Sequence, residues 1–211
     1  MRMNAGIPKQ FLLLSGEPVL MHTIRAFYTF NETLEIILAL PELHFGTWKD
    51  LCRLHDFTIP HKVTAGGKTR YGSVKNALEA VLSEGLVAIH DGARPLVSRE
   101  LIRSAFLVAE RSGNAIPVLP VTESLREVAP DRSFPVDRKR FHIVQTPQVF
   151  RTELIKKAYA TAPGDDFTDD ATVLELSGEK IHLVEGDPKN IKITVMADLE
   201  FAEAIIQILR Y

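Results

Sequence analysis

Along this chain, short apolar runs alternate with stretches in which apolar residues return every three or four positions. Four runs rich in branched side chains, at 34–40, 86–89, 115–119 and 181–184, are too short for buried helices and predict strands. They stop at turn signals such as Pro41, Asp91-Gly92 and Gly186-Asp187. Between them Leu20, Ile24 and Phe27 share one helical face, as do Leu199, Ala202, Ile206 and Leu209 near the C-terminus. Ser98 reads as the N-cap of a helix opening at Arg99-Glu100-Leu101. Thr168 reads as another, with Asp169 and Asp170 where the helix dipole favours acids.

Near-continuous apolar strands separated by amphipathic helices imply an α/β fold, with a mostly parallel sheet covered on both faces. Ligands of such sheets gather outside the carboxyl ends of the strands, so polar clusters just after apolar runs are candidate chemistry. One stretch breaks the alternation. Between 120 and 142 the chain carries Pro120, Pro130, Pro135 and several charged groups without a clean period, and it reads as an arm or loop leaving the core.

Composition narrows the class. A chain of 211 residues suits one domain, and 45% hydrophobic with 25% charged residues is an ordinary globular balance. The formal net charge of −2 argues against a basic groove for nucleic acid. Cys52 is the sole cysteine, which excludes an internal disulfide framework and fits a reducing compartment. No apolar run approaches the ~20 residues that span a bilayer, and no signal-peptide stretch opens the chain. The expectation is a soluble, cytoplasmic domain.

Several clusters could carry chemistry. Pro8 stiffens the corner that presents Lys9, with Arg2 seven positions earlier. Gly66-Gly67 precede a helical pattern over 73–78, where backbone amides can approach an anion or the edge of a base. The spacing to Lys68 is not that of a Walker loop, and a plain strand-to-helix turn explains the glycines equally well. His90-Asp91-Gly92-Ala93-Arg94-Pro95 follows a strand directly. Asp91 there suits a magnesium ion or a substrate hydroxyl, or a structural pair with Arg94. His90 has no metal-ligand partners at the right spacing and reads as a packed or locally bonded ring. Gln145-Thr146-Pro147-Gln148 and Thr168 offer amide and hydroxyl donors. Lys192 alternates with Ile191 and Ile193, so as a strand it points away from the core.

Taken together and in order, these motifs resemble the 2-C-methyl-D-erythritol 4-phosphate cytidylyltransferases over essentially the whole chain. The matching residues are Arg2-Met3, Pro8-Lys9-Gln10-Phe11, Gly66-Gly67 with Arg70 and Ser73-Val74, His90 to Pro95, Thr146-Pro147-Gln148, Thr168-Asp169-Asp170-Ala171, and Val184-Glu185-Gly186 with Asn190 to Thr194. Ribitol-5-phosphate cytidylyltransferases are close relatives and share most of the pattern. The resemblance implies a Rossmann-like three-layer sandwich of the nucleotide-diphospho-sugar transferase type, with a protruding dimerisation arm at about 120–143. It implies transfer of a cytidylyl group from CTP to a polyol phosphate, with Mg2+ bridging the CTP phosphates.

Residue by residue, the resemblance makes Arg2, Lys9 and Lys192 the catalytic cations and gives Gly67, Ser73 and Asp91 to CTP. Asp91, Arg94, Ser124, Arg138, Thr146 and Thr168 fall to the polyol phosphate, and Asp91 could also touch the metal. Arg138 would reach the site of a partner subunit, so a homodimer is implied. Three departures stand out. Ser124 occupies a position that is commonly threonine, a loss of one methyl worth ~0.8 kcal/mol of burial at most. Arg126 replaces a lysine, which keeps the charge and changes its geometry. The family also begins with a buried strand and a glycine-rich phosphate loop ahead of Arg-Met, about fifteen to twenty residues that would place the first strand mid-sheet. The expectation is that residue 1 is not the native start. A transferase-like binding protein lacking its phosphate loop is the reading of a different class.

Overall fold

The computed structural model describes residues 8–209, so Arg2 lies outside the described residues. The chain enters through a 3-10 turn at Lys9–Phe11 and a small hairpin, β1 (Leu13–Leu14) and β2 (Glu17–Pro18), into α1 (Val19–Phe30). There follow β3 (Ile37–Leu40), α2 (Phe45–Leu54), β4 (Lys62–Ala65), α3 (Arg70–Ala80), β5 (Leu86–Ile89), α4 (Arg99–Ser112) and β6 (Asn114–Pro120). The arm is the hairpin β7 (Leu125–Val128) and β8 (Ser133–Val136), closed by a 3-10 turn at Arg138–Arg140. Then come β9 (His142–Val144), β10 (Gln148–Arg151), α5 (Thr152–Thr161), α6 (Asp170–Leu176), β11 (Leu183–Glu185) and α7 (Met196–Leu209).

The main sheet runs β11-β6-β10-β5, with β9 also on β6, while β3 and β4 form a separate parallel pair. The sheet is mixed, which corrects the expectation of a mostly parallel one. β11 lies parallel to β6, whereas β10 is antiparallel to both β5 and β6. The reason is the arm. A parallel return from β6 would need a crossover helix, and the arm supplies only a hairpin. β9 and β10 therefore come straight back along β6, and their register jumps by two residues around Gln145-Thr146-Pro147.

Alternation along each strand divides the core between the two faces. Ile89, Ile116 and Phe150 pack with α3, α5 and α6, beside Tyr71, Tyr159 and Leu174. Ala88, Ala115 and Val149 point the other way, onto Ala105 and Ala109 of α4. Helices thus cover both faces, giving three layers. β3 and β5 each pair along one edge only among the described residues, and a cavity of about 780 Å³ lies between them.

Capping follows the expectations with one correction. The Ser98 hydroxyl accepts from Leu101 N at 3.3 Å, and Gly113 closes α4 at φ 88°, a conformation that favours glycine. At α6 the cap is Asp169, not Thr168: its carboxylate accepts from Thr172 N at 3.0 Å and leaves Thr168 exposed one position outside. A carboxylate is the stronger acceptor for an orphan helix amide. The segment carrying Lys192 belongs to none of the strands among the described residues, and Ile193 N donates to Ala93 O at 2.8 Å in a loop contact. Its alternation survives, with Ile193 buried and Lys192 outward.

Phe150 is fully buried at the centre of the sheet. Phe150→Ala should cost about 3–5 kcal/mol, read as a lower urea midpoint with little change in slope.

Candidate active site

The polar end of the cavity begins where β5 ends. The chain turns through Asp91, with Arg94 N donating to Asp91 O at 3.0 Å. Arg94 is buried; its Nε donates to Asp91 Oδ2 at 3.1 Å and its Nη1 to Asn190 O at 2.8 Å. Lys192 Nζ meets the same Asp91 oxygen at 3.1 Å. Arg70 Nε faces the other oxygen, Oδ1, at 3.8 Å. Burial alone would raise the Asp91 carboxyl, but Lys192, Arg94 and Arg70 outweigh it and hold the group below the usual carboxylate range. Among the described residues, Asp91 is an anion ringed by three cations.

Polar residues behind this cluster fix its loops. Thr146 Oγ1 accepts from Asp91 N and bonds His90 Nδ1, each at 3.0 Å, while His90 Nε2 meets Arg94 O at 3.1 Å. Asn190 Nδ2 donates to Thr146 O at 2.7 Å. Gln145 donates to Asp187 O at 2.9 Å and accepts from Asp187 N at 3.0 Å. Gln145 and Thr146, at the two-residue register jump, thus tie the 91–94 turn to the 187–192 loop. His90 is a bonded support, as its lack of metal-spaced neighbours suggests. Burial pushes its imidazole down to about 4.

The glycine loop borders the same cavity. Gly67 N donates to Ser73 Oγ at 3.0 Å, and Ser73 Oγ donates to Thr69 O at 3.0 Å. A Cβ on Gly67 would sit 2.5 Å from the Gly72 carbonyl carbon and 2.8 Å from Ser73 N, so only glycine fits this approach. Thr69 caps α3, accepting from Gly72 N at 3.0 Å. Ser73, Arg70, Asp91 and Lys192 all line the cavity.

Other sequence-selected residues lie elsewhere. Lys9 is exposed on its corner and lowers the Asp198 carboxyl as a minor contribution, which sets it near the start of α7. Ser124 and Arg138 are exposed at the foot of the arm, where Arg138 Nη1 donates to Thr122 O. Thr168 is exposed ahead of α6. Residues without an assigned role complete the core of the site: Asp170, Asn190, Gln145 and Arg70. Their sequence signal is only their place within the motifs; burial marks them out, with Asp170 and Asn190 fully enclosed.

Asp170 takes Arg70 in a two-pronged pair, Nη1 to Oδ1 at 2.8 Å and Nη2 to Oδ2 at 2.6 Å, and Tyr159 OH donates to Oδ1 at 2.6 Å. Burial and the Asp170 carboxylate raise the Tyr159 phenol, so it stays a donor. As for a metal, no group of three or more His, Cys, Asp or Glu is placed to hold one among the described residues. Both Asp91 oxygens face cations in this structure. The described protein side chains form no magnesium cage.

A mixed sheet between helices, with a charged cluster where a strand ends in a cavity, marks an α/β protein with a polar site at the end of its sheet. The sequence profile of the family described as 2-C-methyl-D-erythritol 4-phosphate cytidylyltransferase matches residues 1–208. A protein of that name from Phocaeicola vulgatus is 47% identical over 206 residues, covering 98% of this chain and 94% of its own length. The crystal structure of the protein of that name from Thermus thermophilus superposes with a TM-score of 0.80 at 36% identity, covering 98% of this chain and 100% of that one. The 4-diphosphocytidyl-2C-methyl-D-erythritol synthase of Anaerococcus prevotii gives 0.83 at 28% identity, covering 98% and 93%. The chain belongs to this cytidylyltransferase family.

The His90 environment has a pH signature. Its folded value of about 4 lies below the ordinary 6.5, so the unfolded chain takes up the proton first as pH falls. Stability is full above about 6.5 and declines toward 4; between pH 7 and 5 the loss from this group is roughly 2 kcal/mol. His22, also lowered by burial, adds in the same direction. Urea midpoints at the two pH values check this, and His90→Gln should flatten the difference.

Proposed function

We propose that this protein transfers the cytidylyl group of CTP to 2-C-methyl-D-erythritol 4-phosphate, forming the CDP-polyol and pyrophosphate on the non-mevalonate route to isoprenoid precursors. The observation that carries the reading is the Lys192–Asp91–Arg94 cluster beside the Gly67–Ser73 loop, in a chain that belongs to this family. A phosphate of the polyol attacks the α-phosphorus of CTP and pyrophosphate leaves. Both groups are already anionic, so catalysis needs alignment and positive charge more than a general base. His90 suits that economy, being neutral with both ring nitrogens engaged.

In this reading the Gly67–Ser73 loop takes the cytosine and ribose, and Lys192 leaves Asp91 for the phosphates as they arrive. Lys9 and Arg2 flank the triphosphate. Arg94, Thr146, Thr168 and Ser124 serve the polyol phosphate, Thr146 from behind through the Asp91 backbone. A magnesium ion, if bound together with CTP, would supply further charge neutralisation on its phosphates. The protein is cytoplasmic and works as a homodimer, each arm completing the partner's site with Arg138. Exposed apolar residues along and beside the arm, including Val128, Phe134, Phe141 and Ile143, favour a covering partner copy.

Pyrophosphate release from CTP with each polyol phosphate in parallel tests the assignment; a tenfold preference for ribitol 5-phosphate would overturn the substrate. Lys9→Ala and Lys192→Ala should each lower turnover roughly 10²–10³-fold, as removal of a transition-state charge partner does. Near-wild-type turnover in either variant removes that lysine from the site. Arg138→Ala should raise the KM for the polyol phosphate more than that for CTP; a dimeric variant with unchanged polyol KM refutes the role in the partner's site.

A further inference from the structure

The cation facing Asp91 Oδ1 differs in kind from the other two. Among the described residues, Arg94 and Lys192 both approach Oδ2, whereas Arg70 alone stands at Oδ1. Arg70 is also the best anchored. Two of its guanidinium nitrogens are bound to Asp170, which is fully buried. Asp170 is itself held by the Tyr159 hydroxyl, and Gln148 Oε1 accepts from the backbone N–H of Asp170 at 3.1 Å and of Ala171 at 2.9 Å. Tyr159 stacks on Tyr71, one residue from Arg70, with ring centroids 4.7 Å apart. The guanidinium is planar, so fixing two nitrogens fixes the direction of the third. That third nitrogen, Nε, faces Asp91.

We infer that Arg70, clamped by Asp170, is a positioning residue that orients the Asp91 carboxylate so that its Oδ2 is presented to Lys192. At 3.8 Å the Arg70–Asp91 contact is an ion pair without a hydrogen bond. It is enough to set which oxygen faces which cation, because a carboxylate attracted at both oxygens cannot turn freely. Released at Oδ1, Asp91 would turn onto Arg94 in the two-pronged geometry that arginine favours, and Lys192 would lose its partner. The clamp also joins three separate parts of the site: the start of α3 beside the glycine loop, the start of α6 beside Thr168, and the turn after β5.

The opposing account is that Arg70 serves only as counter-ion to a buried carboxylate. The two are separated by Arg70→Gln, Arg70→Lys and the double variant Arg70→Gln/Asp170→Asn. Arg70→Gln leaves Asp170 charged and alone, and its melting temperature should fall by about 10 °C. The double variant removes both charges and should recover most of that loss, so the test survives if the single variant does not fold.

Turnover, in contrast, should stay roughly 10–100-fold low in the double variant, the scale of a misplaced catalytic group, with the KM for each substrate within about threefold. Arg70→Lys keeps the charge beside Asp170 but not the fork, and should be similarly slow while remaining folded. The kinetic arm rests on the cytidylyl transfer proposed above; a second readout does not. Reductive methylation of Lys192, followed peptide by peptide without substrate, should speed up roughly threefold in all three variants, the scale of one lost half-exposed ion pair.

Recovery of turnover together with melting temperature in the double variant, or unchanged Lys192 methylation in it, would overturn the inference. A wild-type protein that releases no pyrophosphate, with Lys192 methylation still raised in the variants, would sink the proposed reaction and leave the positioning role of Arg70 standing.

Discussion

A carboxylate taken out of water must be met by positive charge, and among the described residues Asp91 is met by three cations drawn from three parts of the chain. Arg94 comes from its own turn, Lys192 from the loop before α7, and Arg70 from the first residue of α3. Each has to be delivered by a different piece of tertiary structure. The loops that deliver them are in turn fixed by buried amides and hydroxyls, principally Thr146, Gln145 and Asn190. Loss of the central anion would leave three like charges crowded together, which is why so much polar bonding converges behind it.

The mixed sheet makes this convergence possible. Because the arm returns the chain without a crossover helix, β9 and β10 retrace β6 in the antiparallel sense. The register slips by two residues between them, at Thr146-Pro147, just after Gln145, whose N donates to Pro117 O. At that break the Thr146 hydroxyl meets the turn after β5, while the Gln145 amide and Thr146 O meet the loop after β11, so a topological departure from a parallel sheet sits at the scaffold of the site.

The electrostatics suit a reaction between two polyanions. The Asp91 cluster holds its lysine by a half-exposed contact, whereas Arg94 and Arg70 are tied into the interior by Asn190 and Asp170. A lysine held in that way is freer to exchange partners than either arginine. His90, neutral and bonded through both nitrogens, belongs to the framework as well.

Local chemistry was legible in the sequence wherever one segment decides its own structure. The runs at 86–89 and 115–119 became β5 and β6, the 3.6-residue spacing became α1 and α7, and Ser98 caps α4, because periodicity and capping act within a few residues. Asp91, Arg94 and Lys192 were recognisable from their ordered motifs, and they do share one cluster. Strand direction was not legible: apolar runs read alike in parallel and antiparallel sheets, and only the arm's return path set β10 against its neighbours. Nor was the choice between Thr168 and Asp169 as cap, since both present an oxygen and one residue of chain geometry decides. The roles of Arg70 and Asp170 were hidden for the same reason. They lie 100 residues apart, and only the packing of α3 against α5, with α6 beside it, makes a charged pair of two residues that the sequence shows merely as a cation and an acid.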